Sequence, residues 1–163
     1  MKSLKLFPVL FLVMIVGCLK VPVVTPESQA EGAKAIDPGK ARELSDSIAS
    51  NLIKKDRTAL LSQMESAAKD YFDEKSFGAI LDQMSEMYGE TLSVEFKKDE
   101  LGRKTGIGGY DKPLRKYWYS AKTTKHDYGA VFLSVEIVPD KDTLGSSGFS
   151  LVTFPMGAPP DMK

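Results

Sequence analysis

The stretch Ser76–Phe96, SFGAILDQMSEMYGETLSVEF, carries two periodicities joined at one glycine. Up to Gly89, the residues Phe77, Ile80, Leu81, Met84, Met87 and Tyr88 recur at three- and four-residue spacing. This predicts a helix that opens at Ser76, buries those six side chains and stops at Gly89. Beyond it, Leu92, Val94 and Phe96 alternate with Ser93, Glu95 and Lys97, the period-two pattern of a half-buried strand. Gly89 therefore divides a helical half of the chain from a strand half.

Upstream, Asp37 followed by Pro38 is a helix start, because an Asp carboxylate accepts from free amides and Pro is at ease in the first turn. Ala41, Leu44, Ile48 and Leu52 then form one stripe on a helix ending near Lys54 and Lys55. Asp56 reads as the cap of a shorter helix that turns Leu60, Leu61 and Met64 to the core. Downstream, Leu114–Thr124 reads as a second strand, Val131, Leu133, Val135 and Ile137 as a third, and Phe149–Phe154 as a fourth. The expected connections hold Gly102, Gly106, Gly108 and Gly109, then Lys125, His126 and Asp127, then residues 140–148. Helices followed by an antiparallel meander predict an α+β fold, with amino-terminal helices packed on a curved four-stranded sheet. Leu44, Ile48, Leu81, Met84, Leu133 and Val135 are its expected core. The methionines read as core filler, with a partner-binding Met face as the alternative.

At the amino terminus, Lys2 and Lys5 precede the apolar run Leu6–Gly17, which contains Pro8, and a Pro- and Ser-containing stretch follows. That order is the one found in secretory signals. The run is shorter than the roughly 20 apolar residues a spanning helix needs. Its end, Ile15, Val16, Gly17, Cys18, resembles the lipobox of bacterial lipoproteins, where cleavage precedes a cysteine that is then acylated. The alternative is an accidental cysteine in a plain signal peptide. The resemblance implies a mature chain starting at Cys18 and held to a membrane of the cell envelope by its acyl chains. In a Gram-negative cell, Leu19 in place of Asp after the cysteine implies the outer membrane. Residues 1–17 are thus the expected signal, and residues 18–36 the lipidated cysteine and a flexible tether. Its 18 residues from Leu19 to Ile36 span roughly 23 Å as a coil. Residues 37–155 form one domain and residues 156–163 a tail.

The chain has 22 basic and 22 acidic side chains, and loss of Lys2 and Lys5 leaves 20 against 22, a net charge of −2. Such a balance gives no footprint for nucleic acid. Cys18 is the only cysteine, so disulfides within the chain are excluded and stability rests on packing.

The three amino-terminal helices, the Tyr88–Gly89 exit into Leu92, Ser93 and Val94, and the last strand Gly148–Phe154 resemble the small NTF2-like (cystatin-like) secreted domains. Many of these are lipoproteins of uncharacterised function. The family often has Trp where Phe149 stands. Enzymes of this superfamily imply an acid or base inside a cone between helices and sheet. Glu95 and Glu136 alternate out of phase with the inward residues, and Asp46 and Asp82 fall off their helix stripes. No catalytic residue and no cofactor is therefore assigned. His126, the single histidine, reads as a turn residue, which leaves little for a transition metal. The Gly106–Gly109 run precedes a strand rather than a helix and reads as a hairpin connection.

Tyr117 and Tyr119 read either as core tyrosines or as the hydroxyl-bearing lining of a pocket. Trp118, Phe132 and Val138 fall on the opposite sheet face and form a candidate interface for a second copy or an envelope partner. The expected function is that of a non-catalytic binding or interaction module on a lipid anchor. The alternatives are a small isomerase or dehydratase using Tyr117 or Tyr119, and a homodimeric structural or assembly factor.

Overall fold

The computed structural model describes residues 32–33, 35–105 and 111–153. The expected signal 1–17, Cys18, most of the tether, the Gly106–Gly109 connection, Phe154, Pro155 and the tail 156–163 lie outside these residues. In chain order the elements are α1 (Pro38–Lys54), α2 (Arg57–Ser62), α3 (Ser66–Lys69), α4 (Glu74–Tyr88), β1 (Thr91–Thr105), β2 (Asp111–Thr123), β3 (Val131–Asp140) and β4 (Thr143–Thr153). The fold is α+β, and the strands form one antiparallel sheet in the order β1-β2-β3-β4.

Local chemistry sets the helix ends. Asp37 Oδ1 accepts from the amides of Gly39 at 2.8 Å and Lys40 at 3.0 Å, and Asp56 Oδ1 accepts from Ala59 N at 2.9 Å. Each bond satisfies a first-turn donor that has no partner inside its helix. The last long helix starts two residues before the expected Ser76. Asp73 is its cap, and its carboxylate takes the Ser76 amide and hydroxyl, each at 2.6 Å. It ends at Gly89, which has φ of 83°, and a Cβ there would lie 2.6 Å from Thr124 Oγ1, so the position admits no side chain.

Side chains from both halves meet in one buried cluster. Ile48 of α1, Leu60 of α2, and Phe77, Leu81 and Met84 of α4 join Tyr119, Leu133, Val135, Ile137 and Leu151 of the sheet, with Leu44 packed against them. Complete burial of such a Leu, Ile, Val or Phe side chain is worth about 1.5–3 kcal/mol each. In register, Tyr119 stands opposite Leu133, and Leu133 opposite Leu151, so one sheet face feeds this core.

Several expectations need correction. Ile80 and Met87 are 46% and 55% exposed, because the apolar set of α4 is wider than the stripe its neighbours can cover. Leu92 is exposed because it lies in a bulge between Thr91 and Ser93, whereas Phe96 keeps the expected phase opposite Tyr119 and is 38% exposed because β1 is an edge strand. Met64 is buried but follows α2, and the helical turn α3 after it was not anticipated. β1 runs through Gly102 to Thr105, and β2 starts at Asp111 rather than Leu114. The expected connection 140–148 is mostly strand. Asp140 pairs with Thr143 across a two-residue turn in which Lys141 takes φ of 54°.

Candidate binding site

Tyr117 and Tyr119 both face α1, and both hydroxyls are engaged within the chain. Tyr119 donates to Asp46 Oδ1 at 2.8 Å, and its oxygen lies 2.7 Å from Ser45 Oγ. Tyr117 donates to the carbonyl of Pro38 at 3.1 Å. Asp46 is gripped in turn by Arg42, whose Nε is 2.9 and 2.8 Å from the two carboxylate oxygens. The Arg42 guanidinium lies 3.5 Å from the Phe96 ring centroid, and Phe96 meets the Tyr119 ring edge-on at 5.9 Å. This stack explains how a partly exposed Phe96 is held. Burial pushes the Tyr119 phenol well above its usual ionisation range, and the Asp46 carboxylate adds to that against the pull of Ser45. Such a phenol is a poor proton donor or acceptor at neutral pH. Chemically the arrangement clamps α1 to β1 and β2. Asp46 falls off the apolar stripe as expected and is exposed, and its carboxylate joins this clamp from the rim.

The opposite sheet face holds Trp118 and Phe132, packed with Val152 in a second, smaller cluster. Trp118 is only 4% exposed, and its indole N–H donates to Glu100 Oε2 at 3.1 Å. Phe132 and Val138 are buried as well, so none of the three offers an exposed anchor. Beside them, Glu136 accepts from Lys104 at 2.7 Å and lies 3.0 Å from Lys116 Nζ. Burial pushes the Glu136 carboxyl up, but hydrogen bonds from Lys104 and Lys116 outweigh it and hold the group below its usual range. Glu100, Arg103, Lys104, Leu114, Lys116 and Glu136 border a cleft of about 390 Å³.

A second cavity, of about 610 Å³, opens where the chain enters the domain, between Ile36, Asp37, Lys40 and Glu43 on one side and Pro139, Asp142 and Leu144 on the other. The third differs in kind. It measures about 170 Å³ and is lined by Met64, Phe72, Phe77, Ile80, Leu81, Met84 and Phe149, with Ser147 and Gly148 at one edge. No charged side chain lines it.

The walls of this apolar cavity are fixed by an unexpected pairing. The segment after α2 bridges β4 in parallel through Met64 and Ser146. Ser146 N donates to Gln63 O at 2.9 Å, and Glu65 N donates to Ser146 O at 2.8 Å. The approach is so close that a Cβ on Gly145 would lie 2.7 Å from Glu65 Cα. Glu65 is buried and its carboxylate meets Lys112 Nζ at 2.6 Å. Asp140 accepts from Ser66 N at 2.8 Å, tying α3 to the β3–β4 turn. On the other side, a register shift at Glu136/Ile137 places Ser147 in a bulge between Ser146 and Gly148. The sequence pattern puts Phe77, Ile80, Leu81 and Met84 on the buried side of α4 and Phe149 on the last strand, and together they line a cavity. The stretch between the expected second and third helices, to which the sequence pattern assigns no element, holds the apolar residues Ala67, Ala68, Tyr71 and Phe72.

His126 lies in the turn between β2 and β3, where its amide donates to Thr123 Oγ1 at 3.0 Å. Among the described residues no group of three or more His, Cys, Asp or Glu side chains is placed to hold a metal ion, and no helix is long and apolar enough to cross a membrane. The chain matches no protein-family model, no curated protein and no solved structure.

Proposed function

We propose that this chain is a bacterial cell-envelope lipoprotein, anchored through Cys18, whose α+β domain is an NTF2-like module that binds a ligand without chemistry. The anchoring rests on one observation: the only cysteine of the chain ends its one export-like apolar run, in the order Ile15, Val16, Gly17, Cys18. Two or three acyl chains hold a protein stably to a bilayer, whereas one alone does not. With Leu19 next, a Gram-negative cell would send it to the outer membrane.

The binding reading draws on the domain. Helices leading through Gly89 into a four-stranded meander support the NTF2-like assignment. The two tyrosines that an isomerase or dehydratase would use have their hydroxyls tied to Pro38, Ser45 and Asp46. The cavity between α4 and β4 is walled by apolar side chains and has a partly exposed residue, Ile80, on its lining. Ligand sites are typically such apolar concavities. A small ligand fits better than a second copy, because Trp118, Phe132 and Val138 are buried.

Fractionation of cells expressing the full chain and its Cys18→Ser variant tests the anchor. The parent should sediment with membranes and the variant should not. Equal membrane association of the two would overturn it.

A further inference from the structure

The three cavities described above differ enough in size and lining for one of them to specify a ligand class. The cleft on the outer sheet face and the cavity at the chain entry are bordered by carboxylates and ammonium groups. The cavity between α4 and β4 has none, and its volume is about 170 Å³. Cavities of about 150 Å³ lined by Leu, Ile and Phe stay dry and take up benzene.

Ring geometry points the same way. Phe77 stands edge-on to Phe149 at a centroid distance of 6.2 Å and an interplanar angle of 81°. Phe72 lies 6.2 Å from Phe77, tilted by 58°. Aromatic rings attract one another in offset or edge-to-face arrangements, so a wall of tilted rings favours an inserted ring. Met64 and Met84 complete the wall with polarisable thioethers, which make favourable contacts with ring edges and adapt to shape. Ile80 is half exposed and marks the mouth.

We infer that the cavity between α4 and β4 binds a small neutral molecule through a single six-membered ring. The inference rests on the binding-module reading and names the ligand class of its site. A charged ring is disfavoured, because no lining side chain would compensate its loss of hydration.

Methyl NMR of the full chain, labelled at its seven methionines, tests it with benzene, benzoate and xenon as probes. Benzene should shift the Met64 and Met84 methyl signals and leave that of the exposed Met87 in place. Benzoate should shift none of them at equal concentration. The variant Ile80→Trp, made at a half-exposed position, should abolish the benzene shift while keeping the thermal midpoint of the parent. Xenon separates the two levels of failure. Shifts with xenon but not benzene would overturn the ring assignment and leave an open apolar site. Silence with both would overturn the site and the binding reading with it. A benzene shift that persists in Ile80→Trp, or that reaches Met87 equally, would show that the rings bind elsewhere.

Discussion

Tyr119 of β2 donates its phenolic proton to Asp46 of α1 across 2.8 Å, and this bond joins the helical half of the chain to the strand half. Ser45, fully buried on the same helix, shares the phenol at 2.7 Å. Tyr119→Phe removes both bonds and leaves the Ser45 hydroxyl without its partner. A buried polar group stranded in this way costs about 1–3 kcal/mol. Urea unfolding at neutral pH should show that loss, and an unchanged midpoint would mean that the clamp contributes nothing.

The same residue governs alkaline stability. Burial raises the Tyr119 phenol above its ordinary 10.0 in the folded state, so the unfolded chain ionises first. The contribution is complete below that ordinary value and is lost as pH rises toward the folded value. Tyr117 is raised for the same leading reason, burial. Unfolding measured from about pH 8 to about pH 11 should fall less steeply in Tyr119→Phe than in the parent. A parallel fall in both would contradict the assignment.

Glu136 has the opposite sign. Held below its ordinary 4.5 by Lys104 and Lys116 despite burial, it contributes stability above that value and loses it as pH falls through the folded value. Glu136→Gln should therefore flatten the acid limb of the stability curve and lower stability near neutrality.

Leu133 is fully buried where helices and sheet meet. Leu133→Ala should cost about 2–5 kcal/mol in equilibrium unfolding, the range for a filled core position. Met87→Lys, on the exposed side of α4, should stay within about 0.5 kcal/mol of the parent. The first result tests the phase of β3 and the second the phase of α4.

Where the sequence could be read, one physical rule dominated. The caps at Asp37 and Asp56, the stop at Gly89 and the alternation from Val131 to Ile137 are local, and each was legible. Ile80 and Met87 were misread because a helix can carry more apolar residues than its neighbours can cover. Leu92 was misread because a bulge in an edge strand resets the side-chain phase there, while Phe96 was in phase and is exposed because the edge strand leaves it half covered. The α4–β4 cavity was illegible for a different reason. It depends on the parallel bridge between Met64 and Ser146, a contact between segments 82 positions apart, subtracting 64 from 146, and no local pattern announces such a pairing. The roles of Tyr117 and Tyr119 likewise turned on partners in α1 that spacing alone does not identify.

Intact-mass analysis of the protein extracted from membranes tests the central claim, that this domain is a lipid-anchored module of the envelope. The account predicts a mature chain beginning at Cys18 and carrying the added mass of a diacylglyceryl group, with or without a third acyl chain. A mature chain that starts at another residue, or a Cys18 with a free thiol, would contradict it.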